Sequence, residues 1–195
     1  EIILVDDAST DGSRKIIADY QASHPDVIRA FYQDENLGIA TTWVTICKEA
    51  RGQYIARCDG DDFWIDPLKL QKQVDLLASR PDCKWSNTDF DIYDEHGNFV
   101  SKAGFANQTI PLADTYEKML ATRGFTMAST WLVDRDLMVE VNQELDLTTS
   151  DDTFNLQLEL FQRTSLAYLN EATVAYTINQ GSDSRPSDFR KLERR

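Results

Sequence analysis

Two short acidic runs are the residues best placed to do chemistry. Asp6-Asp7 closes the apolar stretch Ile2-Ile3-Leu4-Val5, and Asp59-Gly60-Asp61-Asp62 closes a second strand-like stretch, Tyr54 to Cys58. Carboxylates at a strand end can hold a divalent cation, a ribose or a base, and they can equally cap the helix that follows. Asp59 and Asp61 are an i, i+2 pair, so in an extended turn both aim at one point, while Gly60 between them lets a phosphate approach the backbone. Magnesium and manganese take one or two protein carboxylates and complete their shells with water and phosphate oxygens. Asp and Gly are also ordinary turn residues, and an isolated Asp-x-Asp reads as a turn. Its position at a strand end, opposite a second acidic strand end, favours a site instead. A third acidic group, Ser150-Asp151-Asp152, precedes a helical pattern, where acids interact favourably with the helix dipole; alone it reads as a cap.

The elements that must position these acids follow from the hydrophobic pattern. Ile2 to Val5 reads as a buried parallel strand, and Ser13 as the cap of a helix carrying Ile16, Ile17 and Tyr20 that ends near His24-Pro25. A strand at Ile28 to Tyr32 follows. Beyond Asn36-Leu37-Gly38 comes a helix with Ala40, Trp43, Val44, Cys47 and Ala50 on one face, then the strand Tyr54 to Cys58. Strand, helix, strand, helix, strand predicts a parallel sheet with right-handed crossovers. Both acidic runs then lie at carboxyl ends of strands, where open α/β sheets bind ligands. Asp66-Pro67 starts the next helix, with Leu70, Val74 and Leu77 facing inward. Lys84 to Tyr93 alternates into the turn Glu95-His96-Gly97-Asn98 and reads as a hairpin. A helix (Ala113 to Ala121), a strand (Met127 to Val133), a helix from Asp151 or Asp152 to Arg163 and a strand (Tyr168 to Ile178) complete the pattern. One domain is expected over 1–195, a nucleotide-binding part over 1–83 and an acceptor-side part over 84–195.

Composition narrows the function classes. The 195 residues are 42% hydrophobic and 27% charged, as expected of a soluble globular protein, and the formal net charge is -13. Such a surface repels a nucleic-acid backbone, so an anion can bind only where something local neutralises it. A cation between the acidic loop and a diphosphate resolves that conflict. Cys47, Cys58 and Cys83 form an odd set without paired short spacing, each among apolar or strand-like residues, which predicts buried free thiols in a reducing compartment. No apolar stretch approaches the length of a membrane span and no leader pattern precedes the first strand, so a cytoplasmic location is expected. His24 and His96 sit in helix-end and turn contexts and are assigned no role. Phe63, Trp64, Trp85 and Trp131 read as core rather than sugar-stacking aromatics, with Trp64, beside the acidic loop, the exception to follow. The last residues reverse the global charge, with Arg185, Arg190, Lys191, Arg194 and Arg195 against Asp188 and Glu193. A solvated terminal helix is the simpler reading; peripheral contact with an anionic membrane is the alternative.

Taken together, five stretches in this order and spacing resemble the family 2 inverting glycosyltransferases of bacterial type, which have the GT-A fold. They are Val5-Asp6-Asp7-Ala8-Ser9-Thr10-Asp11-Gly12-Ser13, Glu35-Asn36-Leu37-Gly38, Gly52-Gln53-Tyr54-Ile55-Ala56, Asp59-Gly60-Asp61-Asp62-Phe63-Trp64 and Asp66-Pro67-Leu68-Lys69-Leu70-Gln71-Lys72-Gln73. The resemblance covers nearly the whole chain, although the family's first strand has no counterpart in it. It implies an α/β GT-A fold with a mostly parallel central sheet, and a hexosyltransferase-like enzyme using a nucleotide sugar, with UDP as the first candidate, and magnesium or manganese. It also implies Asp7, with Asp6, reading the base, Asp59 and Gly60 near the ribose or phosphates, and Asp61, with Asp59, as metal ligands. Asp152, or Asp151 beside it, aligns with the catalytic base. Asn170-Glu171-Ala172, Tyr176 to Asn179 and Gly181-Ser182 align with the closing strand and loop. The acceptor would be a saccharide or lipid-linked saccharide in surface polysaccharide synthesis. A response-regulator receiver domain opens with a similar Ile-Leu-Val-Asp-Asp, but Gly60-Asp61-Asp62 and the long second half do not suit it. A non-catalytic nucleotide-binding or scaffold module and a nucleotidyltransferase remain the alternatives.

Overall fold

The opening apolar run forms β1 (Ile2–Asp6), which pairs in parallel with β2 (Ile28–Tyr32), Ile2 opposite Ile28 and Asp6 opposite Tyr32. The computed structural model describes residues 1–148 and 152–178, the side chain of Asp152 excepted. α1 (Ser13–Ser23) links β1 to β2. Ser13 is its first residue and not its cap; Asp11 Oδ1 accepts from Ser13 N at 2.9 Å and closes the turn in front of it. α2 (Ile39–Glu49) buries Ala40, Trp43, Val44 and Cys47, the face its periodicity predicts.

The chain then builds a second, six-stranded sheet. β3 (Tyr54–Ala56), β4 (Phe63–Trp64), α3 (Lys69–Ser79), β5 (Cys83–Asp94) and β6 (Phe99–Ser101) precede α4 (Tyr116–Thr122), and a 3-10 turn (Ala128–Thr130) leads into β7 (Leu132–Asp134). α5 (Arg135–Val141), α6 (Asp152–Arg163) and β8 (Ser165–Ile178) follow. The strand order is β3-β7-β5-β8-β4, with β6 on β5. β5 and β8 run parallel, and the remaining neighbours in this sheet are antiparallel. The sheet is therefore more mixed than the strand–helix–strand order predicts, and among the described residues β3 pairs with β7 and not with β1 or β2. Periodicity shows which face of a strand is buried and leaves its hydrogen-bonded neighbour open.

Trp85, Trp131, Leu156 and Leu160 are buried at the centre of the largest core cluster, between this sheet and α2, α5 and α6. Three local expectations change. The strand expected over Met127 to Val133 is shorter, because Met127 enters at φ 55° and the next three residues turn. α5, which the sequence pattern left unassigned, buries Leu137, Met138 and Val141 and is capped by Asp134 Oδ1, which accepts from Leu137 N at 3.0 Å. On α3, Leu70 is 40% exposed while Lys69, Gln73 and Leu77 are buried, because the Gln73 amide finds polar partners inside. The cysteines are free, and Cys47 and Cys83 are buried as expected, whereas Cys58, just past the end of β3, is exposed. Among the described residues no helix is long and apolar enough to cross a membrane.

Candidate functional site

At the carboxyl end of β1 the two acids separate in role. Asp6 is buried, and its Oδ2 accepts from Arg14 Nε at 2.8 Å; hydrogen bonds from Ser9 and Arg14 hold its carboxyl below the usual range against the effect of burial. Asp7 turns the other way. Its Oδ1 accepts from Leu37 N at 2.7 Å and its Oδ2 from Gly38 N at 3.0 Å, while Asn36 Nδ2 donates to the Asp7 carbonyl at 3.3 Å. The carboxylate thus grips the N-terminal entry of α2, where donors have no intrahelical partners. Gly38 adopts φ 86°, a left-handed conformation that favours glycine.

The second acidic loop is connected to the first through α2. Trp43 lies five residues beyond Gly38, about 7.5 Å along the axis, and the Arg57 guanidinium carbon sits 4.9 Å from its ring centroid. Arg57 Nε in turn donates to Asp59 Oδ1 at 2.7 Å. Arg57 is 7% exposed and faces inward in step with Ile55. A charged residue in step with the core-facing Ile55 is a sequence signal for this pairing.

Loop residues 59–62 are strapped from below. Asp59 N donates to Ser129 Oγ at 3.0 Å, Ser129 Oγ donates to Asp62 Oδ2 at 2.6 Å, and Thr177 N donates to Asp62 Oδ1 at 3.0 Å. Burial pushes the Asp62 carboxyl up to about 6, aided by the charges of Asp61 and Asp59 and opposed by the bonds from Ser129 and Thr177. Cys58 beside it is pushed up to about 11, by burial first and then by Asp62 and Asp59. Ser129 and Thr177 are 70 and 115 residues from their loop partners, and no local pattern announces either.

Asp61 is exposed at the outer side of this loop, and a Cβ added at Gly60 would meet nothing within 4 Å. Among the described residues no three or more His, Cys, Asp or Glu side chains are grouped to hold a metal. Two hard oxygen donors at an open loop fit magnesium or manganese, which bind through one or two carboxylates and leave positions for phosphate.

Asp152 opens α6, while Asp151, Ser150, Asn179, Gly181-Ser182 and the basic run Arg185 to Arg195 lie outside the described residues, as does the Asp152 side chain. α6 is tied to the Ser129 segment: Thr126 Oγ1 donates to Gln157 Oε1 at 2.5 Å and Trp131 Nε1 donates to Thr126 Oγ1 at 2.9 Å. His24 and His96 are exposed, Trp85 and Trp131 are core, and Trp64 flanks the loop.

Known proteins resemble the chain in sequence and in fold. Proteins of Mycobacterium tuberculosis and Mycobacterium bovis are 44% identical over 82 residues, 42% of this chain and 24% of theirs. TuaG of Bacillus subtilis, provisionally named a teichuronic acid biosynthesis glycosyltransferase, is 29% identical over 185 residues, 94% of this chain and 69% of its own. The chain thus spans about a quarter of the mycobacterial relatives and about two thirds of TuaG. Among solved structures, S. aureus TarS 1-349 in complex with UDP superposes with a TM-score of 0.67 at 14% identity, over 92% of this chain and 51% of that TarS segment. The mannosyltransferase PcManGT from Pyrobaculum calidifontis, in complex with GDP-Man and Mn2+, gives 0.69 at 18% identity, over 94% of this chain and 50% of its own. Both similarities show the fold, which is GT-A. The family model "Glycosyl transferase family 2" matches residues 1–138, and the chain belongs to that family.

Proposed function

We propose that the chain transfers a sugar from a nucleoside diphosphate donor, UDP-linked in the first instance, to a hydroxyl of a saccharide or lipid-linked saccharide, with inversion at the anomeric carbon. The observation that carries this reading is the loop Asp59 to Asp62, whose two ends are bonded to Ser129 while Asp61 is exposed and a Cβ added at Gly60 would meet open space. In this role Asp7 lies on the base side, with Asp6, expected to share that task, buried behind it against Arg14; Asp59 and Gly60 meet the ribose and phosphates, and Asp61, with Asp59, holds magnesium or manganese. A bound divalent cation supplies neutralisation of the charge on the departing diphosphate.

Asp152 acts as the base, with Asp151 as its neighbour. Its carboxylate takes the proton from the acceptor hydroxyl as that oxygen forms a bond to the anomeric carbon; the bond from that carbon to the diphosphate oxygen breaks, and its electron pair leaves with the nucleoside diphosphate. One displacement inverts the centre. Support for placing Asp152 there comes from Gln157, five residues into α6, which hydrogen bonds the segment that also carries Ser129. The division into a donor half over 1–83 and an acceptor half over 84–195 belongs to the same reading. So does work at the cytoplasmic face of a membrane in surface polysaccharide assembly, with the basic run Arg185 to Arg195 toward anionic lipid. The name of TuaG supports a polysaccharide setting.

The base assignment is tested with Asp152→Asn. Transfer falls by about 10²–10⁴-fold, the usual contribution of a positioned base, while nucleotide affinity is kept. Parallel loss of transfer and nucleotide binding contradicts the assignment.

A further inference from the structure

The clamp under the acidic loop is built from residues to which the proposed reaction assigns no role. Ser129 is fully buried on the 3-10 turn, and one hydroxyl both accepts from Asp59 N and donates to Asp62 Oδ2. It therefore bridges the first and last residues of the four-residue loop. Fixing those two ends sets the direction in which Asp61 and the Gly60 backbone face. A hydroxyl that bonds a carboxylate makes the stronger, charge-assisted kind of hydrogen bond.

The main chain of this turn is held from the opposite side. Trp64 Nε1 donates to the Ser129 carbonyl at 3.2 Å, and Gln73 Nε2 donates to the Thr130 carbonyl at 2.9 Å. Lys69 Nζ donates to Gln73 Oε1 at 2.7 Å and lies 4.6 Å from the centroid of the Trp64 ring. Lys69 is 1% exposed and Gln73 is fully buried. Burying an amine and an amide is costly unless their partners are well placed. Here Lys69 is satisfied by Gln73, whose amide spans from Ser86 Oγ on β5, at 3.1 Å, to the Thr130 carbonyl. The turn is entered through Met127 at φ 55°, a conformation that persists only where its surroundings enforce it.

We propose that Ser129 is a positioning residue of the donor site: held by Trp64, Lys69 and Gln73, its hydroxyl sets the loop Asp59 to Asp62 in the geometry that binds a cation-bridged nucleoside diphosphate. This rests on the transferase reading. It also gives a physical task to Lys69 and Gln73 of the stretch Asp66 to Gln73, which lies in the sequence between the acidic loop and the hairpin.

The experiment is calorimetric binding of UDP and GDP at increasing manganese for the unsubstituted chain, Ser129→Ala, Ser129→Thr and Trp64→Phe, with thermal melts in EDTA to establish folding. Loss of one charge-assisted bond raises the manganese concentration for half-maximal nucleotide binding about tenfold in Ser129→Ala. Ser129→Thr keeps the hydroxyl and restores most of it, and Trp64→Phe shifts it in the same direction as Ser129→Ala. Unchanged manganese dependence in folded Ser129→Ala overturns the proposal. If that variant does not fold, unchanged dependence in Trp64→Phe overturns it. Absence of any metal-dependent binding by the unsubstituted chain overturns the transferase reading itself, a result distinct from the other two.

Discussion

At the scale of single residues, Gly60 is where the fold and the proposed chemistry make different demands. Its φ is not among the positive values, and an added Cβ would meet open space, so the fold itself does not require a glycine. Gly38 differs, because its φ of 86° does require one. Gly60→Ala is therefore expected to leave the melting temperature unchanged or raise it slightly, since an alanine lowers the conformational entropy of the unfolded chain by an amount worth about 0.4–1 kcal/mol. The same methyl group occupies the space through which a diphosphate reaches the backbone, and UDP affinity in manganese falls several-fold. Equal affinity in the two proteins, measured by calorimetry, would remove Gly60 from the donor site. The types and order of the acids at positions 6, 7, 59 and 61 were legible in the sequence. Their partners were not: Asp7 meets Leu37 and Gly38 across about thirty residues, and Asp62 meets Ser129 and Thr177 across many more. Such pairings come from tertiary closure and leave no local period to read.

At the scale of elements, α2 and β5 fall where their sequence patterns put them, although β5 is buried on both faces from Trp85 to Phe90 instead of alternating. α3 shows where that reading stops. Its apolar residues suggest a buried Leu70, yet the packed face carries Lys69 and Gln73 because the polar partners Ser86 and Thr130 lie beneath it. Burial brings the Lys69 ammonium down from its ordinary 10.5 to about 7, a result with a definite consequence for stability. Between those values the unfolded chain holds a proton that the folded chain has released, so stability rises with pH across the window; below pH 7 both states are protonated and the destabilisation is constant. From pH 7 to 8.5, below the range where Cys58 titrates, this adds about 1.5 kcal/mol. Urea midpoints of the unsubstituted chain should rise over that interval relative to those of Lys69→Met. Parallel curves would contradict a folded-state value near 7.

At the scale of the whole molecule, a chain with a net charge of -13 that presents Asp59, Asp61 and Asp62 on one loop is a poor receptor for a bare diphosphate. The two acidic runs close strands of different sheets and are linked through α2, with Asp7 on the main chain of Leu37 and Gly38 and Trp43 under Arg57, the partner of Asp59. The central claim is that this acidity is the cation-dependent donor site of a sugar transferase. Calorimetric titration of UDP and then GDP, first with manganese and again with EDTA, tests it most directly. One of the two nucleotides is expected to bind with manganese, and EDTA to abolish the binding. No binding of either nucleotide with manganese, or binding of equal strength in EDTA, would contradict it; in the first case a scaffold role for the domain would take its place.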